Sequence, residues 1–247
     1  MQKDQLRDIA ESQMPEVTPE IVPDTYRWNV IDDLTPSGNL GIELGVAAGS
    51  FSAKMVASGK FARFWGVDMY ADSHNTAEYK AALRLVGLDQ NYHLLRMTFD
   101  QAIDLFPDGY FDFIYVDGYA HTGEEGGRTL LNWYAKLKPG GIMAGDDYDV
   151  KSWPLVVWAV HDLVQQLGLH LKITDKAGDV TYNRYRSWFF IKPQRVDDVV
   201  ALSGNATLMQ LGDAEKQRRA EATKAKMQAR KHNRKAAQPI DTPPPGN

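Results

Sequence analysis

Gly41-Ile42-Glu43-Leu44-Gly45-Val46-Ala47-Ala48-Gly49-Ser50-Phe51-Ser52 reads as an apolar strand that ends on a carboxylate, a turn of small residues, and the opening of a helix. Gly45 and Gly49 let the backbone turn tightly and come close to a ligand. Ser50 carries the hydroxyl of an N-cap, and free amides at a helix start favour a nucleotide-like or anionic group. Outward from this stretch, short apolar strands alternate with amphipathic helices. Strands are expected near 39–44, 62–67, 92–96, 111–116, 140–145, 169–174 and 186–192. Helices are expected near 50–58, 75–86, 99–105, 123–136 and 152–167. That alternation predicts an α/β fold with a doubly wound seven-stranded sheet, mostly parallel. The last two strands flank Asp175-Lys176-Ala177-Gly178-Asp179, which suits a C-terminal antiparallel hairpin.

Composition bounds what this core can be. The chain has 247 residues, 43% hydrophobic and 24% charged, in the range of a globular protein with one large domain. It has no cysteine, which excludes disulfides, thiolate metal sites and cysteine nucleophiles. Neither a signal-peptide core nor an apolar run of roughly 18 residues is visible, so the expected setting is cytoplasmic with no membrane partner. The charge of −4 is uneven. Residues 213–247 carry nine Lys/Arg against four Asp/Glu, leaving nineteen against 28 in residues 1–212. An acidic body is a poor surface for a nucleic-acid backbone, and only the basic tail suits one.

Three segments follow. Residues 1–36 combine a short helical pattern (Leu6, Ile9, Ala10) with Pro15, Pro19, Pro23 and Pro36, and read as an N-terminal arm or lid. Residues 37–193 form the core. Residues 194–247 read as a basic tail, helical or disordered, because Ala214 to Ala237 has helix propensity but almost no apolar stripe.

In an open parallel sheet, ligands bind beyond the carboxyl ends of the strands. The second strand ends at Asp68, placed to accept the hydroxyls of a ribose. The third ends near Met97-Thr98-Phe99-Asp100, the fourth at Asp117 with His121 beyond it, and the fifth at Asp146-Asp147. A Rossmann-type glycine turn followed by an acidic strand end is the layout that holds an adenosine. Tyr70, Tyr119, Tyr148 and Trp153 could wall a pocket for a ring-shaped molecule. His74 is a helix-start residue, and His161, Trp158 and Trp188 read as packing residues.

With these residues in place the sequence resembles the class I S-adenosylmethionine-dependent methyltransferases. The matching features are Glu43-x-Gly45-x-x-x-Gly49, Asp68, Phe111-Asp112-Phe113-Ile114-Tyr115-Val116-Asp117 and Leu137-Lys138-Pro139-Gly140-Gly141. The resemblance implies a Rossmann-like sheet and an enzyme that uses S-adenosylmethionine. It implies that the Gly45–Gly49 turn faces the methionine part, Asp68 the ribose, and Thr98 to Asp100 the adenine. The expected cofactor-binding set is Glu43, Gly45, Ala47, Gly49, Ser50, Asp68, Met69, Thr98, Phe99 and Asp117. Ala47 stands where the family usually has a middle glycine. A nicotinamide-binding turn would need a Gly-x-Gly-x-x-Gly spacing, which is absent here.

Asp117, Asp146 and Asp147 end neighbouring strands, and clustered carboxylates repel unless something neutralises them. Magnesium, which prefers hard oxygen ligands, is the expected metal for these three. Asp117-Gly118-Tyr119-Ala120-His121 and Gly145-Asp146-Asp147-Tyr148 resemble the metal-dependent macrocin-type sugar O-methyltransferases, with one extra residue before His121. On that resemblance, His121 is the general base, and the acceptor is a hydroxyl of a small molecule, a sugar or a catechol-like ring. Two alternatives stay open. One is a metal-independent methyltransferase with another acceptor. The other is a non-catalytic protein of the same fold whose tail recruits nucleic acid or a partner. A homo-oligomer is compatible with either.

Overall fold

The computed structural model describes residues 3–71, 75–118, 126–178, 183–194 and 202–236. Eight strands form one sheet in the order β1-β7-β8-β6-β5-β2-β3-β4. The strands are β1 (Glu20–Val22), β2 (Asn39–Leu44), β3 (Phe61–Val67), β4 (Tyr92–Leu95), β5 (Phe111–Val116), β6 (Leu137–Tyr148), β7 (Lys172–Thr174) and β8 (Arg186–Ile191). All adjacent pairs are parallel except β6–β8 and β7–β8, so the antiparallel hairpin lies where the sequence places it. The helices are α1 (Lys3–Gln13), α2 (Ser50–Ala57), α3 (Thr76–Leu85), α4 (Phe99–Ile103), α5 (Arg128–Tyr134), α6 (Pro154–Leu167) and α7 (Ala206–Ala236).

The central strands are buried on both faces, which is why they read as continuous apolar runs. Along β5, Phe113 and Tyr115 face one cluster with Phe51, Phe64 and Ile142. Ile114 and Val116 face the other, with Leu44, Trp133, Trp158 and Leu163. From β2 the chain winds outward through β3 and β4, then returns to lay β5 and β6 on the other side. The winding reverses between β2 and β5, and a ligand crevice is expected at their carboxyl ends.

Three details differ from the expected pattern. The eighth strand, β1, pairs Ile21 with Ile173 at the sheet edge. It lies between Pro19 and Pro23, and a proline is tolerated beside an edge strand but not in a central one. Lys138-Pro139-Gly140 is a bulge inside β6, since Phe111 faces Leu137 while Phe113 already faces Ile142. The C-terminal helix begins at Ala206, and Leu208 is buried in the core. No helix among the described residues is long and apolar enough to cross a membrane.

The reversal point sets a tight steric limit. Gly45 has φ +100°, and a Cβ there would sit 2.0 Å from the Asp117 carbonyl oxygen. The Gly45 amide donates to the Val67 carbonyl and the Asp117 amide to the Leu44 carbonyl. Gly45→Ala is therefore expected to lower unfolding free energy by ~2 kcal/mol or more in urea denaturation; an unchanged midpoint would show that β2 and β5 can separate there.

Candidate active site

The glycine turn is shaped from below by its own neighbours. Asp68 is buried, and its Oδ2 accepts the amides of Val46 (3.1 Å) and Ala47 (3.0 Å). Its Oδ1 accepts the Tyr70 amide at 2.9 Å, and the Tyr70 hydroxyl donates back to the Ala47 carbonyl at 2.9 Å. Ala47 takes φ +47°. A small residue thus keeps the middle of the turn where the family's glycine is missing. Glu43 is buried beneath the turn and accepts the Ser52 hydroxyl, which also lies 3.0 Å from the Tyr92 hydroxyl. Burial pushes the Glu43 carboxyl well above its ordinary pKa.

The N-cap of α2 is Gly49, in the left-handed conformation, with no side-chain cap. Ser50 is therefore the first helical residue and not the cap expected from the sequence. A glycine can take the positive φ that brings the chain into α2, and the helix start keeps its amides uncovered by any N-cap side chain. Those amides, at the positive end of the helix, suit the carboxylate of an amino-acid-like ligand. The chain's residues thus fit the methionine end of the expected cofactor. Thr98 caps α4, accepting the Gln101 amide at 3.2 Å. The Phe99 ring is buried against Gly118. Met69 is half-buried beside this edge, with its carbonyl 3.5 Å from Arg96 Nε.

The carboxylates beyond β5 and β6 have an unexpected counter-ion. Arg27, from the N-terminal arm, is 4% exposed. It donates through Nη2 to Asp117 and through Nη1 to Asp146 Oδ2 at 3.0 Å. Its guanidinium lies 5.0 Å from the Phe51 ring centre and 5.1 Å from that of Tyr115. Burial works against its charge, but Tyr115, Asp117 and Asp146 outweigh it and raise its pKa well above the ordinary value. Burial raises the Asp146 carboxyl as well, against the pull of Arg27, with Asp117 and Asp147 adding to the rise. Asp146 also accepts the Ser187 hydroxyl at 3.3 Å.

This arrangement does not fit the expected magnesium. Among the described residues, no group of three or more His, Cys, Asp or Glu side chains is placed to hold a metal ion. Two of the three expected ligands, Asp117 and Asp146, instead share a guanidinium, and a second cation at the same oxygens would meet it at close range. Asp147, at φ +59°, is the residue at which β6 bulges. His121, the expected base, lies outside the described residues, as do His74 and Tyr119.

Reading the sequence missed two polar residues. Arg27 was legible only as the one cation in the run Thr25-Tyr26-Arg27-Trp28-Asn29-Val30-Ile31. His161 on α6 is buried as expected of a packing residue, yet both ring nitrogens are engaged. Nδ1 lies 2.9 Å from the Pro15 carbonyl and Nε2 2.7 Å from the Tyr148 hydroxyl. Burial lowers its pKa, so the ring is neutral at pH near 7.

The strand order, mostly parallel with an antiparallel β7–β8 hairpin, is that of an α/β Rossmann-like methyltransferase fold. Residues 40–148 match the family described as a methyltransferase domain, a span that runs from β2 to the end of β6. An uncharacterized protein of Sinorhizobium fredii, y4gI, is 26% identical over 125 residues. That alignment covers 48% of this chain and 14% of the relative, so the chain spans a small part of that protein's length. Among solved structures, an S-adenosylmethionine-dependent methyltransferase of Mesorhizobium loti shares 22% identity at TM-score 0.38, covering 47% of this chain and 50% of that one. The N-methyltransferase NodS of Bradyrhizobium japonicum shares 15% at TM-score 0.48, covering 77% and 94%. These likenesses fix neither acceptor nor site residues. The domain match names a methyltransferase domain and spans less than half of the chain.

Two outcomes are expected for the buried cluster. Arg27→Met leaves two carboxylates without their shared cation and should cost about 3–5 kcal/mol of stability near neutral pH, read by urea denaturation. Asp146, with a pKa raised to about 7 in the folded chain, favours folding most below about pH 4 and withdraws that contribution as pH rises through about 7. Unfolding free energy should then fall more steeply between about pH 5 and about pH 8 in the wild type than in Asp146→Asn; parallel curves would contradict it.

Proposed function

We propose that the protein methylates a hydroxyl of a small molecule with S-adenosylmethionine, and that the Asp117–Asp146 pair works with Arg27 and not with magnesium. The observation that supports methyl transfer is the span of the domain match, and the contacts of Arg27 with Asp117 and Asp146 support its place there. The match covers the chain from β2 to the end of β6, the stretch that supplies the glycine turn, Asp68, Asp117 and Asp146.

When bound, the cofactor supplies a methyl group on a positively charged sulfur, an electrophile that needs no further activation. The chain's task is then placement and charge. The first-turn amides of α2 would hold the carboxylate of the methionine part. Asp68 and Tyr70 keep the turn in the shape that presents those amides. Asp117, held by Arg27, fixes the carboxyl end of β5 beside the turn. Gly45 keeps the two strand ends close enough to act on one ligand.

The test is calorimetric titration of the full chain with S-adenosylhomocysteine, in the presence of EDTA and of magnesium. Binding of equal strength in both is expected. No binding in either would overturn the cofactor assignment, and binding that needs magnesium would overturn the role given to Arg27. Ser50→Asp adds a negative charge at the start of α2, which suits the helix but repels a carboxylate there. It should weaken S-adenosylhomocysteine about tenfold while leaving thermal stability equal or higher.

A further inference from the structure

A concavity lies at the carboxyl edge of the sheet. It is a cleft of about 550 Å³ beside the ends of β6 and β7, a volume suited to a small organic molecule. Arg184 and Tyr185, just before β8, and Arg186 at its start line it; β6 and α6 supply Tyr148 and His161. Met14, Val157 and Ile173 add apolar surface.

The polar groups in this cleft are of two kinds. Arg184 is exposed and Arg186 half-buried, and among the described residues neither makes an ion pair with a carboxylate. The Arg184 guanidinium lies 5.2 Å from the Tyr185 ring centre, and Trp153 meets the same ring edge-on at 6.3 Å. Asp149, which also lines the cleft, has its carboxylate committed to the Ser152 amide at 2.7 Å. Against that one carboxylate the cleft sets two guanidiniums, so the charge of its described lining is net positive.

The second kind is a hydroxyl of fixed polarity. The Pro15 carbonyl can only accept, so His161 carries its hydrogen on Nδ1 and leaves Nε2 bare. Tyr148 must then donate its own hydrogen to Nε2, which leaves its oxygen able only to accept from anything else. A neutral phenol or alcohol offers the hydrogen that such an oxygen takes.

We propose that this cleft binds a phenol bearing an anionic group, with Arg184 and Arg186 taking the anion and the Tyr148 oxygen accepting the hydrogen of the phenolic hydroxyl. Binding in this cleft does not rest on the function proposed above. Guanidinium pairs recognise carboxylates in a way neutral donors cannot, and Met14, Val157 and Ile173 offer apolar surface to the ligand's ring.

The experiment titrates the full chain calorimetrically with 4-hydroxybenzoate, phenol, benzoate and inorganic phosphate. 4-Hydroxybenzoate should bind at least about tenfold more tightly than phenol or benzoate. Arg184→Gln/Arg186→Gln should bring it to the level of phenol, and Tyr148→Phe to the level of benzoate, with circular dichroism unchanged. Equal binding of 4-hydroxybenzoate and phenol, no binding of any probe, or displacement by equimolar phosphate would overturn the proposal. A parallel titration with S-adenosylhomocysteine separates the two readings. If 4-hydroxybenzoate binds and S-adenosylhomocysteine does not, the cleft stands and the methyltransferase reading falls. The reverse result overturns the cleft alone.

Discussion

The buried guanidinium of Arg27 is the contact on which the arrangement of this carboxyl edge depends. Asp117 and Asp146 end adjacent parallel strands, and without a cation between them their charges would repel in a poorly solvated space. Taking all three groups out of water is itself costly, so the cluster is better understood as a device for position than as a source of stability. Its geometry demands that the arm return to the sheet at one place. The arm is tied on either side of Arg27: the Thr25 amide donates to Asp175 at 2.8 Å, and Lys60 Nζ donates to the Ile31 carbonyl at 2.8 Å. The N-terminal segment thereby contributes Arg27 to the candidate site.

A similar economy governs the glycine turn. Side chains that sequence patterns assign to a ligand also make bonds within the protein. Asp68 holds the turn's amides, Glu43 holds Ser52, and Thr98 caps a helix. These bonds preorganise the loop, and the cost of ordering it is met before any ligand arrives. What remains uncommitted by an N-cap side chain is the start of α2, which is where an anionic group gains most.

What could be read from the sequence, and what could not, follows from the range of each interaction. β2 and β5 fall at 39–44 and 111–116 as expected, because strands buried on both faces are unbroken apolar runs ended by Gly45 and Asp117. Gly127 marks the start of α5 because the backbone there needs a positive φ. The three-residue β1 leaves no period to detect. The pair Arg27–Asp117 joins positions 90 apart, and no local pattern encodes it. The carboxylates were visible as a charge problem; that Arg27 reaches both Asp117 and Asp146 is a property of the tertiary structure. For His161, helical spacing gave the burial correctly, but its partners Pro15 and Tyr148 come from other elements.

One irregularity of β6 connects the two halves of this edge. Gly145 faces Trp188 and Tyr148 faces Arg186, so Asp146 and Asp147 together oppose Ser187 alone. In a regular strand, Asp146 and Tyr148 would point to the same face, as residues two apart do. The extra residue, with Asp147 at φ +59°, reverses that parity. Asp146 then reaches Arg27 and Ser187 on the face of Phe51 and Tyr115, while Tyr148 turns to the face of α6 and meets His161. A single bulge thus turns Asp146 towards Arg27 on one face of the strand end and Tyr148 towards His161 on the other. Removing Asp147 would restore the alternation and force one of the two residues away from its partner. The doubled aspartate, which looks in the sequence like a pair of metal ligands, also sets the register of the strand that carries it.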